Sequence, residues 1–390
     1  MNKKSYLFLF FAFLSLFLSR FNVKILVSWY LFQVVLILFF IFTLIKGKVK
    51  IDSFVRIPIS LFLVFFIYAS LSGLWAGDPL NVLKMIFGLF FCFLTLIMAS
   101  ALFSSRAHNE LDEIFFSVGL FVCIVSIIFY VLGIAYYSKG IGSEGDVIWG
   151  VLIEKGTARL VGFQADPNFM AFVSLIFVYF FMSIKRRGSK LIALLFIMMI
   201  FLTLSRSGLL AFLVGCFFYI AFSKKRLFGF SIMAVLGSAT IFYIVNADNL
   251  SRVVEARISG LESGAGRFEI WSNAFQIYSE SPFFGIGLFQ FKEVMSERFD
   301  IALYAHNTYL EVLVETGIFG FMLFLIFVFS ILFQGLVLKE KNWVLATIIS
   351  LLIFLLSLSA IASPVLYFSL IAVLLIGKAS RAALPERFDI

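Results

Sequence analysis

The sequence predicts an all-α polytopic membrane protein of about twelve spanning helices with one large folded loop on a single face. Three observations lead there. The chain is 62% hydrophobic and only 14% charged, whereas charged residues make up roughly a quarter of a soluble domain. Apolar runs long enough to cross a bilayer recur along the chain, continuous rather than alternating, which selects helices over a barrel. The apolar text then breaks into a long polar insert around 264–320, which ends at AHNTYLEVLVETGIFG.

Taken in order, the apolar runs place spans near 5–19, 25–45, 57–74, 81–103, 114–137, 167–184, 190–204, 208–222, 227–245, 306–338, 343–361 and 364–377. The first follows Lys3 and Lys4 and carries no small-residue cleavage site, so it reads as an uncleaved span. Two runs are too long for one crossing. Residues 190–222 would make a helix of roughly 50 Å against a hydrocarbon core of about 30 Å. They therefore split into two short spans, with Ser205-Arg206-Ser207-Gly208 as a turn at a membrane surface. Residues 306–338 split into an amphipathic interfacial helix, 306–316, and a crossing, 317–338.

Lys and Arg in short loops set the orientation. Lys46, Lys48, Lys50 and Arg56 share a side with Lys185, Arg186, Arg187 and Lys190, with Lys224, Lys225 and Arg226, and with Lys339, Lys341, Lys378 and Arg381. Both termini are then expected in the cytoplasm. The net-acidic loop 104–113, Arg20 and Lys24 depart from this pattern. The net charge of +9 is absorbed by these loops and implies no nucleic-acid partner. Three parts follow: 1–245 with the insert 138–166, the large loop 246–305 on the opposite face, and 306–390.

Cys92, Cys123 and Cys216 lie in apolar runs without metal or disulfide spacing. Gly140-Ile141-Gly142-Ser143-Glu144-Gly145 matches GxGxxG but follows a membrane helix rather than a strand, so dinucleotide binding is not expected. The outward-facing arginines Arg159, Arg206 and Arg267 say more. Arg206 interrupts two apolar runs on the side that should be poor in bases, and such a charge needs a counterpart. A guanidinium fork suits phosphate oxygens. His306, one of two histidines, has the proton affinity of a general base near neutral pH. On its helix Asn307, Glu311 and Glu315 form a polar stripe, expected to meet substrate.

RLVGFQADPN with Arg159, Asp166 and Asn168, then SRSG, then GRFEIW with SPFFGIG, then AHNTYLEVLVETGIFG: in this order the pieces resemble the O-antigen ligase and Wzy O-antigen polymerase superfamily, over roughly 159–325. The resemblance implies a metal-independent, inverting glycosyltransferase of the GT-C class without cofactor, in a bacterial inner membrane, working at the periplasmic face with 246–305 as its large periplasmic loop. Its donor is an undecaprenyl-diphosphate-linked glycan. Its acceptor is a sugar hydroxyl, on lipid A-core for a ligase or on another lipid-linked repeat for a polymerase. Membrane lipid and a chain-length regulator are the further partners implied. The catalytic residues carried over are His306, Arg267 and Arg206. Arg159, Asp166, Asn168, Asn307, Glu311 and Glu315 are expected at the substrate. The rival reading is a transporter or flippase of the same lipid-linked sugars, which would work without His306.

Overall fold

The computed structural model describes residues 3–17, 22–25, 27–46, 50–104, 108–154, 157–164, 166–223, 267–339 and 341–382. The expected span 227–245 and the first part of the large loop lie outside the described residues.

Apolar runs give helices where the polar punctuation allows. α1 (Lys3–Leu16) is followed by a β-hairpin of β1 (Asn22–Ile25) and β2 (Val27–Tyr30), with Val23 opposite Trp29. Then come α2 (Leu31–Lys46), α3 (Ser53–Ser72), α4 (Pro79–Phe103) and α5 (His108–Tyr137). The span expected from residue 25 thus starts six residues later. The β-branched and aromatic text NVKI and VSWY takes the strand conformation instead.

The insert after α5 holds a second correction to an all-α reading. β3 (Val147–Ile148), β4 (Val151–Glu154) and β5 (Thr157–Leu160) form a small antiparallel sheet. The GxGxxG segment is the turn that leads into it, and Gly145 donates its N–H to Ile153 O at 2.8 Å. Beyond it lie α6 (Pro167–Ser183), α7 (Ser189–Leu202) and α8 (Arg206–Ala221). The large loop contributes α9 (Arg267–Glu280) and α10 (Phe291–Phe299). The chain ends in α11 (Thr308–Val337), α12 (Asn342–Phe354) and α13 (Pro364–Ala382).

Among the described residues, four helices are long and apolar enough to cross a membrane: Ser53–Trp75, Pro79–Phe103, Asn109–Tyr137 and Thr308–Val337. Shorter apolar helices, including α6, α7, α8 and α12, pack among them. α12 lies against α8 and α6, α6 against α7, α11 against α3, and α13 against α4. The core is aromatic. Phe13, Phe17, Phe62, Phe115, Phe177 and Tyr179 are fully enclosed. The three cysteines are buried and free.

The bundle has two chemically distinct ends. At one, Lys378 Nζ meets Asp52 Oδ1 at 2.6 Å and Arg186 meets Glu113 at 2.6 Å. Glu113 belongs to the acidic loop that fitted the charge pattern poorly; its carboxylate answers Arg186. At the other end, polar contacts tie the loop helices to the bundle. Asp78 N donates to Gln290 Oε1 at 3.0 Å, and Asn81 Nδ2 donates to Glu293 Oε1 at 2.8 Å.

The long run 306–338 is broken as its length demands. Gly317 sits inside α11 at φ 64° and ψ −172°, a region in effect reserved for glycine. The turn SPFFGIG fills the break. Ile286 N donates to Val314 O at 3.0 Å and Gly287 N donates to Glu315 O at 2.9 Å, while Ile318 N donates to Pro282 O at 2.9 Å. Carbonyls that the break frees thereby find donors, as buried backbone must. The part before the break is not an exposed interfacial helix: Thr308, Leu310, Glu311, Val312, Val314, Glu315 and Thr316 are all buried.

Candidate functional site

Four helix starts gather at the second end of the bundle, and each is written in local sequence. Asp166 precedes Pro167 and caps α6, its Oδ1 accepting from Asn168 N at 2.7 Å. Ser205 caps α8 by accepting from Gly208 N at 3.2 Å. Asn307 caps α11 by accepting from Leu310 N at 3.2 Å. Arg267 opens α9. Capping side chains of this kind hold the first turn and leave the positive end of the helix dipole facing outward.

The SRSG turn is fixed from below. Leu204 takes a left-handed φ of 50°, which turns the chain between α7 and α8. Ser205 Oγ donates to Asn168 Oδ1 at 2.8 Å, joining the starts of α6 and α8. Gly208 has no room for a side chain, since a Cβ there would stand 2.7 Å from Ala171 Cβ. Arg159 reaches across from β5. Its Nε donates to Thr203 O at 2.9 Å and its NH1 pairs with Glu154 Oε2 at 2.5 Å. Arg159 is thus engaged by protein groups behind the turn.

Arg206 and Arg267 are placed differently. Arg206 is exposed and Arg267 half-buried, and among the described residues neither forms an ion pair. They lie close enough to oppose each other. Burial holds the Arg267 guanidinium below the usual arginine value, Arg206 lowers it further, and Asp166 partly restores it. His306 stands in the same field. Burial pushes its imidazole below 6.5, Arg267 adds to this, and Asp166 opposes both. The structure therefore brings Arg206, Arg267, His306 and Asp166 together, with Asn168 beside them through Ser205. The result is positive charge with one carboxylate within it and an imidazole whose charged form is disfavoured.

His306 is reached by a strained backbone, at φ 49°. The preceding peptide is pinned from α9: Trp271 Nε1 donates to Ala305 O at 2.9 Å. The start of α11 is stitched to the segment between α12 and α13. Thr308 N donates to Leu358 O at 3.1 Å, and Ala360 N donates to Thr308 Oγ1 at 3.0 Å.

The stripe Asn307, Glu311 and Glu315 is present as a stripe but turns inward. Glu311 and Glu315 are each 5% exposed. Glu311 accepts from Ser359 Oγ at 2.5 Å and faces the backbone N–H groups of Ala305 and His306. Glu315 accepts from Phe291 N at 3.2 Å and from Phe289 N–H. Both face loop backbone, where the sequence led us to expect substrate. Irregular backbone in a buried setting requires acceptors, and these carboxylates supply them. Sequence reasoning missed Trp271, Thr308 and Ser359. Trp271 stood in the GRFEIW motif and could have been weighed; Ser359 carries no local signal.

Residues 191–325 match a family model described as O-antigen ligase (Wzy_C), which supports, over that stretch, the resemblance to the O-antigen ligase and Wzy superfamily. No curated protein matches the chain.

Proposed function

We propose, from the O-antigen ligase stretch and the charge arrangement above it, that this membrane enzyme of polysaccharide assembly is a glycosyltransferase. It moves a glycan from undecaprenyl diphosphate to a sugar hydroxyl at the periplasmic face. The observation that carries this reading is the meeting of Arg206, Arg267 and His306 at converging helix starts.

The chemistry follows from the charges. A polyprenyl diphosphate is already a good leaving group, so the reaction requires stabilisation of its departing negative charge and a base for the incoming hydroxyl. Two guanidinium groups that repel each other become favourable when an anion lies between them. The positive ends of α6 and α8 point the same way. His306, whose charged form is disfavoured by desolvation and by Arg267, is suited to accept the acceptor's proton. Asp166 then stabilises the imidazolium that forms, as a carboxylate beside a catalytic histidine does. Attack of the hydroxyl at the anomeric carbon breaks the bond to diphosphate and inverts the configuration. No metal or cofactor has a role in this scheme. Arg159 supports the turn that carries Arg206, and Glu311 and Glu315 support the loops around it. Basic loops at the opposite end put that end, with both termini, in the cytoplasm.

The test is transfer from purified lipid-linked donor by His306→Ala, Arg206→Ala and Arg267→Ala in membranes. Each is expected to insert normally and to lose transfer. Full transfer by His306→Ala would remove the base assignment, and absence of transfer by the parent protein would favour a lipid-linked sugar carrier. Glycan profiling of a deletion strain separates the two acceptors. Single repeats on lipid A-core mean a lost polymerase; bare core with long chains kept on the carrier means a lost ligase.

A further inference from the structure

We infer that Glu311, anchored by Ser359, is a positioning residue that sets where the His306 imidazole stands. The inference rests on the reading of His306 as the base, and its test is built to fail separately.

The geometry is a clamp. The peptide units of Ala305 and His306 are held on two sides: Trp271 Nε1 donates to the Ala305 carbonyl at 2.9 Å, and the Glu311 carboxylate faces both N–H groups. His306 has a left-handed φ of 49°, which a non-glycine residue keeps only when its surroundings impose it. Glu311 is 5% exposed, and among the described residues no Lys or Arg pairs with it. A carboxylate buried without a cation is costly. Its carboxylate instead faces the histidine's own backbone N–H and accepts from the Ser359 hydroxyl at 2.5 Å. Ser359 is itself fixed, because its neighbours Leu358 and Ala360 bond to Thr308. The segment between α12 and α13 therefore reaches the base through one carboxylate.

An amide cannot do the same work. Glu311→Gln keeps one oxygen for the two backbone N–H groups, leaves its NH2 to the Ser359 hydroxyl, which can also accept, and loses the charge that strengthens these contacts. The histidine backbone is then held less firmly while the volume of the core is kept.

The experiment uses the full chain in lipid nanodiscs with His108→Gln, which leaves His306 as the sole histidine. Ring titration of His306 by NMR and steady-state glycan transfer are followed together. Glu311→Gln is expected to bring the ring's titration back up toward that of a free histidine, as it moves away from Arg267. It is expected to lower kcat at least tenfold with the donor KM changed less than about twofold. Ser359→Ala, which leaves Glu311 in place but unanchored, is expected to give the same changes in smaller degree. An unmoved ring titration in a folded Glu311→Gln protein overturns the proposal, as does a rise in KM alone. If His306→Ala transfers normally while Glu311→Gln still shifts the ring titration, the clamp stands and the base assignment falls.

Discussion

Gly285 and Gly317 occupy the same small space from two directions. A Cβ on Gly285 would stand 2.5 Å from Gly317 N, and a Cβ on Gly317 would stand 2.5 Å from Phe284 N. Both have positive φ, 73° and 64°. The turn and the helix break are therefore one joint.

Alanine at either position is expected to open this joint. The left-handed backbone alone costs about 1–3 kcal/mol, before the steric clash is counted. Gly317→Ala and Gly285→Ala should each lower the melting temperature of the detergent-solubilised protein. Combining them should cost less than the sum of the two, because they damage one contact. Full additivity would show that turn and break are independent.

The acid limb of the pH–rate profile reports His306. The neutral imidazole is the working form, so transfer should rise with pH and level off. Its midpoint should lie below 6.5, since burial and Arg267 disfavour the charged ring. Replacing Asp166 by Asn removes the one contribution that favours the charged ring, so the limb should move to lower pH. Replacing Arg267 by Ala removes a repelling cation, so the limb of the residual activity should move to higher pH. The profiles of kcat/KM for the three proteins check both signs.

Arg206 should tolerate lysine poorly. Lysine keeps the charge but loses the planar fork that spans two phosphate oxygens. Arg206→Ala is expected to reduce kcat by about 10²–10³-fold, the scale of losing one electrostatic donor at a developing charge. Arg206→Lys should fall between this and the parent enzyme. Single-turnover transfer rates at saturating donor check the order.

Arg159 should behave as a support. Arg159→Ala removes a hydrogen bond to Thr203 O and an ion pair with Glu154. About 1–3 kcal/mol of stability should go with them. Transfer should recover when the variant is assayed well below its melting temperature. A donor KM that stays raised there would place Arg159 at the substrate.

The parts of this fold readable from sequence were those written locally. The helix-starting signals Asp78-Pro79, Asp166-Pro167 and Ser205 are short polar devices between apolar runs, and helices begin there. Length alone required the turn at SRSG and the break before residue 318. Arg206, Arg267 and His306 were visible because charge is conspicuous in apolar text. The direction of the glutamate stripe was not readable. Helical periodicity gives a shared face but not what the face meets, and the partners of Glu311 and Glu315 lie as far away as Ser359 and Phe291. The joint of Gly285 with Gly317 was hidden for the same reason. Strand pairing at β1 and β2 was concealed by the apolar run that follows it.

The helices beneath the site are short. α7 has 14 residues and α8 has 16, which correspond to roughly 21–24 Å of rise against about 30 Å of hydrocarbon. On the proposed orientation, helices this short with their far ends at the cytoplasmic surface would hold the SRSG tip that bears Arg206 below the outer headgroup plane. On the proposed reading, the two substrates then arrive by different routes. The donor slides in sideways with its isoprenoid tail still in lipid, and its diphosphate never has to climb out. The acceptor descends from the water to meet it, and product leaves upward while the spent carrier drifts away in the leaflet.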